Sequence, residues 1–230
     1  MKFGVVIFPG SNCDQDLIHV LKDVMGQQVE TLWHKDHTLK GCDFILLPGG
    51  FSYGDYLRSG AIAQLSPVMQ EVQEFADKGG FVFGICNGFQ ILCESHLLPG
   101  ALLSNVHNQF SCKNVFLRCD TDESLITSRL RIGQVIKVPI AHGEGNFYCD
   151  ADTLKTMNDN NQVLFRYCDE KGNTEMTNNP NGALENIAGI CNANRNVFGM
   201  MPHPERASED ILANTNGRLI FESILNMVQA

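Results

Sequence analysis

The stretch Phe81-Val82-Phe83-Gly84-Ile85-Cys86-Asn87-Gly88-Phe89-Gln90-Ile91-Leu92 decides the fold. Phe81–Ile85 is a short apolar run without polar alternation, the pattern of a strand covered on both faces. Phe89, Ile91 and Leu92 continue as an apolar helix, so Cys86 sits on a tight turn between strand and helix. A strand that feeds directly into a helix is a βα unit, and successive βα units build a parallel sheet.

Upstream, the same alternation repeats. Phe3–Phe8 reads as a buried strand. Ser11-Asn12 offers a helix N-cap, Asp14 and Asp16 suit the first helical turn, and Leu17, Val20, Leu21 and Val24 recur at helical spacing until Gly26. Gln28–Trp33 is a second strand, and Asp43–Pro48 a third that ends in Gly49-Gly50. A helix around Val68–Lys78 closes on Gly79-Gly80. Downstream, the apolar runs Val115–Leu117, Gln134–Ile140, Val163–Tyr167, Ile187–Ile190 and Val197–Met200 are separated by turn residues instead of long helices, which predicts antiparallel hairpins. A last amphipathic helix spans Gly217–Val228. With no repeat or linker, the expected organisation is one α/β domain over residues 1–230, a mostly parallel sheet with an antiparallel extension.

Composition narrows the partners. Against 17 basic residues stand 26 acidic ones in 230, a formal charge of −9, which repels phosphate backbones and anionic bilayers. Neither nucleic acid nor membrane is an expected partner. The apolar start stops at Pro9-Gly10, too short for a signal peptide, and no run approaches the ~18 apolar residues of a membrane span. Nine cysteines, an odd count with no C-x-x-C pair or zinc-like clustering, read as reduced thiols of a cytoplasmic protein, mostly core hydrophobes, with no metal set.

Chemistry gathers at three places. Gly84-Ile85-Cys86-Asn87-Gly88 has the form of a nucleophile elbow with cysteine in the reactive position. The helix N-terminus beyond it favours a thiolate. Met201-Pro202-His203-Pro204-Glu205-Arg206, directly after an apolar strand, offers an imidazole and a carboxylate on a loop stiffened by two prolines. A cysteine nucleophile needs such a base and an acceptor to orient it. Pro48-Gly49-Gly50 ends another strand, so its amides and that of Asn87 are candidate oxyanion donors. Read structurally, the same fragments are a core cysteine beside two packing glycines, a polar loop and a plain βα turn.

Cys86, Gln90 four residues later and the His203-x-Glu205 pair resemble the triad glutamine amidotransferases. Further blocks are similar to the glutaminase subunits of phosphoribosylformylglycinamidine synthases: Phe8–Asp14 (FPGSNCD), Pro48–Arg58 (PGGFSYGDYLR), Gly84–Gln90, His142–Gly145, Asn178–Gly182 and Pro202–Arg206. Ala183 departs from the serine that pattern would place there. The resemblance implies a flavodoxin-like doubly wound fold. Cys86 would attack the side-chain amide of glutamine, release ammonia and leave a thioester that water hydrolyses. His203 would serve as base and acid, Glu205 would orient it, and Gly49, Gly50, Asn87 and Gln90 would form the glutamine and oxyanion site. It implies a large synthetase subunit that binds ATP and Mg, and a small bridging subunit. This chain, without a Gly-Lys dipeptide or G-x-G-x-x-G, would need no cofactor. His142-Gly143-Glu144-Gly145 reads as a structural or partner-binding turn, and the Tyr53–Arg58 loop as an interface or pocket rim. The alternatives are a stand-alone γ-glutamyl or other cysteine hydrolase on the same scaffold, and an idle binding module.

Overall fold

The computed structural model describes residues 1–226. Five strands form a parallel block: β1 (Lys2–Ile7), β2 (Gln28–Trp33), β3 (Phe44–Leu47), β4 (Phe81–Ile85) and β11 (Val197–Met200). Four more extend the sheet: β6 (Ser111–Cys119), β7 (Val135–His142), β9 (Val163–Cys168) and β10 (Ile187–Cys191). The nine-stranded order is β2-β1-β3-β4-β11-β10-β9-β6-β7. The first five pair in parallel, and every pairing from β11 to β7 is antiparallel. The parallel block has the flavodoxin-like order, in which the crevice at the carboxyl ends of the strands receives ligands.

The helices are α1 (Asp14–His19), α2 (Pro67–Asp77), α3 (Asn87–Glu94), α4 (Ala151–Asp159) and α5 (Arg218–Asn226). Phe3, Phe44, Phe83 and Phe198 from the parallel strands and Leu17, Val72, Phe89 and Ile91 from the helices are all fully or almost fully buried, so helices cover the sheet as unbroken apolar strands require.

Four expectations change. The first helix begins at Asp14 with Cys13 as its N-cap, not at Ser11-Asn12. Ser11 bridges to Gly50, and the Cys13 amide donates to the Gly49 carbonyl at 3.2 Å, so residues 11–13 are tied to the loop after β3 instead of coiling into the helix. The helix continues past His19 as a π-helical turn over Val20–Val24. Val197–Met200 belongs to the parallel block through β4 and pairs with β10 on its other edge, so it joins the two halves. The second half also holds α4, whose N-cap Asp150 accepts from the amides of Asp152 and Thr153, and a separate ribbon of β5 (Ala101–Leu103) and β8 (Asn146–Tyr148). Residues Met227 and Val228 of the expected last helix lie outside the described residues.

Candidate active site

Cys86 follows β4 with φ 51° and ψ −106°, a region side chains rarely occupy. Close packing enforces this turn. A methyl group on Gly88 would lie 2.0 Å from the Leu47 carbonyl oxygen, and one on Gly84 would lie 2.5 Å from that of Gly88. The two glycines therefore let α3 double back against the sheet, and the reversal falls on Cys86. Its sulfur opens into a pocket of about 300 Å³, with Sγ 3.7 Å from the Ala141 carbonyl. Asn87 is the first residue of α3, so its amide has no acceptor within the helix.

β11 brings the second group. Met200 sits opposite Ile85 in parallel register, so the chain leaves both strands on the same side of the sheet. The His203 amide donates to the Pro139 carbonyl at 2.8 Å, which fixes the backbone to β7. Pro204 then starts a 3-10 turn that swings Glu205 back, and His203 Nδ1 donates to Glu205 Oε1 at 2.6 Å. Both side chains are 1% exposed. Burial disfavours a charge on the imidazole, but Glu205, and Cys86 beside it, outweigh burial and hold the His203 pKa well above its ordinary value. Nε2 remains buried without a partner.

Cys13 completes this cluster; it falls inside the Phe8–Asp14 block, to which the sequence reading gave no chemical role. Its sulfur accepts a 3.0 Å bond from Arg206 Nη2 and lies with His203 and Glu205 in a group whose donor atoms are all within 4.8 Å of one another. Such a spacing admits a metal ion; within it His203 Nδ1 is hydrogen-bonded to Glu205 Oε1 and Cys13 Sγ to Arg206. The one sequence signal was position: Cys13 follows the carboxyl end of β1, where the crevice forms.

The glycine and amide residues divide their places. Gly50 lines the pocket, whereas Gly49 lies behind it, where a methyl group would be 2.7 Å from His203 Cε1. Gly49 thus makes room for the imidazole. Asn87 Oδ1 accepts from the Ser52 amide at 3.1 Å, and its Nδ2 donates to Gln90 Oε1 at 2.9 Å. Gln90 Nε2 donates to the Glu144 carbonyl at 2.6 Å. A chain of amides therefore ties the loop after β3, the start of α3 and the turn after β7 together.

That turn lines the pocket, through His142, Gly143 and Glu144. Buried Asn181, from the Asn-Pro-Asn-Gly segment, donates to the Gly145 carbonyl at 2.7 Å and holds the turn from behind. Ala183, fully buried, sits in the same segment. In the Tyr53–Arg58 loop, the Tyr53 hydroxyl meets His34 Nδ1 at 2.6 Å and Ser66 Oγ at 2.9 Å, and Arg58 makes a two-point bond to Glu94 at 2.7 and 2.5 Å. Asp55 faces the pocket, while Tyr56 and Leu57 are exposed.

A family model described as the CobB/CobQ-like glutamine amidotransferase domain matches residues 1–223. The chain belongs to this family. Among curated relatives of this amidotransferase, the phosphoribosylformylglycinamidine synthase subunit PurQ of Koribacter versatilis is 57% identical, with 98% of this chain and 97% of that protein covered. The PurQ of Methanosarcina acetivorans is 53% identical over 99% and 98% of the two chains. In the solved structure of PurLQS from Thermotoga maritima, one chain matches with a TM-score of 0.87 and 40% identity, over 99% of this chain and 98% of that one. Another solved glutamine amidotransferase from Thermotoga maritima, 14% identical with a TM-score of 0.59 over 100% and 84% of the chains, shares the fold.

Proposed function

We propose that this chain hydrolyses glutamine at Cys86 and passes the ammonia to an ATP-dependent synthetase subunit. The chain is a glutamine amidotransferase, the glutaminase subunit of phosphoribosylformylglycinamidine synthase, and acts in purine biosynthesis. The observation that carries the chemistry is a strained cysteine opening into a pocket beside a buried His203–Glu205 pair. Cys86 Sγ attacks the γ-amide carbon, and the tetrahedral oxyanion takes hydrogen bonds from the backbone amides at Gly50 and Asn87. The imidazolium of His203 gives its proton to the leaving nitrogen, ammonia departs and a thioester remains. His203 then takes a proton from water, which attacks the thioester and frees glutamate. Glu205 keeps the Nδ1 proton in place and stabilises the charged ring through both steps. Gln90 and Asn87 hold the pocket walls in register.

The synthetase partner, with ATP and Mg bound on its side, and a small third subunit complete the reading. PurLQS, the complex named for the similar solved structure, supports a multi-subunit assembly. So do Phe51 and Phe110, which line the pocket yet stay 44% and 55% exposed. The continuous nine-stranded sheet supports one amidotransferase domain over residues 1–230. Among the described residues no helix is long and apolar enough to cross a membrane, and a cytoplasmic site of action fits free thiols throughout.

Reconstitution with the synthetase tests the reading. Cys86→Ala should abolish glutamine-dependent amidine formation, and ammonium salts at a pH rich in free ammonia should restore it. Glutamine turnover that survives Cys86→Ala, or a complex that ammonia cannot drive, would overturn it.

A further inference from the structure

The pocket beside Cys86 is one-sided in charge. Asp55, from the loop after β3, and Glu144, from the turn after β7, both line it, and no lysine or arginine does. Arg58, close to Asp55 in sequence, is turned to Glu94. Glu144 Oε2 receives a long 3.3 Å bond from the Ser59 amide, and Asp55 Oδ1 is buried with no hydrogen-bond partner.

His142 is an independent sign of the same kind. It lines the pocket, is 3% exposed, and its Nε2 is buried and unpartnered. Its tautomer follows from Asn105, whose Nδ2 donates to the Gln109 and His142 carbonyls and whose Oδ1 accepts from the Gly145 amide. Oδ1 can then only accept from His142 Nδ1 at 3.2 Å, so Nδ1 carries the proton and Nε2 presents a lone pair. Burial, helped by the charge of His203, lowers His142 to about 4 and keeps the ring neutral. Two carboxylates and a neutral imidazole nitrogen thus offer acceptors only. Buried acceptors without donors are costly, and a ligand rich in N–H groups and bearing positive charge removes that cost.

We propose that Asp55 and Glu144 bind the α-ammonium group of glutamine and thereby select an amino-acid amide over other amides at Cys86. The proposal rests on the glutaminase reading of the pocket. The α-carbon end of the substrate is anchored at the two carboxylates, and the γ-amide extends to the thiol. Burial, opposed in part by Ser59 and reinforced by the charge of Glu144, pushes Asp55 up to about 6, as expected of a carboxyl with no protein cation beside it.

Glutaramate, the analogue of glutamine without the α-amino group, is the probe. Hydrolysis of both compounds is measured in the assembled synthetase complex for the wild type, Asp55→Asn, Glu144→Gln and the charge-preserving Asp55→Glu. Charge-assisted hydrogen bonds of this kind are worth roughly 10- to 100-fold in binding, so the wild type should prefer glutamine by about that factor in kcat/KM. Asp55→Asn and Glu144→Gln should each cut the preference at least ~10-fold, mainly through a higher KM for glutamine, and Asp55→Glu should retain most of it. Equal losses for both compounds, or an undiminished preference in folded variants, would overturn the assignment. Failure of the glutaminase reading itself would look different, since the wild-type complex would then show no hydrolysis that Cys86→Ala removes.

Discussion

Replacing Asp55 with asparagine should stabilise the folded chain at neutral pH. The Asp55 pKa rises from 3.8 to about 6 on folding, through burial and the charge of Glu144. A carboxyl raised in this way contributes stability that is fully present below 3.8 and lost as pH rises through about 6. The groups facing it do not relieve this: Glu144 is like-charged, Ser59 compensates in part, and Arg58 is engaged by Glu94. At about 1.4 kcal/mol per pH unit, the rise corresponds to roughly 3 kcal/mol. Asp55 is only half-buried, and solvent screening reduces that to about 1 kcal/mol. Asparagine carries no charge at any of these pH values, so its advantage should grow between pH 4 and 7 and level off above. For a chain of this size, ~1 kcal/mol corresponds to ~2–4 °C in Tm. Urea unfolding followed by circular dichroism, repeated from pH 4.5 to 8, reads the difference directly. In a Cys86→Ala background, saturating glutamine should narrow the gap, because a bound ammonium stabilises the ionised aspartate. A variant less stable than wild type at pH 7.5, or an offset that does not change with pH, would refute the reasoning.

Three other outcomes follow from the geometry. An electrophilic glutamine analogue should label Cys86 selectively among the nine cysteines, because burial pushes Cys119 up to about 12 and Cys168 and Cys191 up to about 11; peptide mapping checks this, with exposed Cys112 as the internal control. Glu205→Gln should lower kcat/KM less than His203→Ala, by about tenfold or more, and should move the alkaline limb of the pH profile downward, since the carboxylate that raises His203 is gone. Gly88→Ala should destabilise by ~1–3 kcal/mol and depress turnover, because its methyl group meets the Leu47 carbonyl and pushes α3 off the elbow; urea unfolding alongside glutaminase assays separates the two effects.

Three of the parallel strands were legible because they are dense apolar runs that only a covered sheet can absorb, as in Phe44–Leu47 and Phe81–Ile85, whereas the parallel pairing of Val197–Met200 rests on its contact with β4 and was not. Cys86, His203 and Glu205 were legible because glycine and proline spacing marks a backbone under constraint, a local property. What was not legible depends on tertiary contacts. Cys13 reads as an ordinary core cysteine until the Ser11–Gly50 bridge sets it against His203 and Arg206. Asp55 and Glu144 are far apart in the chain, and nothing local tells that both turn into one pocket. The helix Ala151–Asp159 carries few apolar residues and buries only Met157, so its periodicity was faint, although Asp150 was an available N-cap signal. The short ribbon of β5 and β8 has three residues a side, too few for any pattern to show.

The position of β11 has a consequence for biosynthesis. This strand enters between β4 and β10, both of which precede it in the chain. A ribosome adding ~5–20 residues per second needs roughly 6–20 s to travel from the end of β4 to the end of β11. Throughout that interval the nascent chain shows an unpaired apolar strand edge at Phe81–Ile85, joined at its end by Ile187–Cys191, each a template for mispairing with a neighbouring chain. The same delay keeps the thiol apart from its imidazole. A chain released before Val197 would hold Cys86 without His203, so an interrupted translation product consumes no glutamine, and its open sheet marks it for chaperones and proteases.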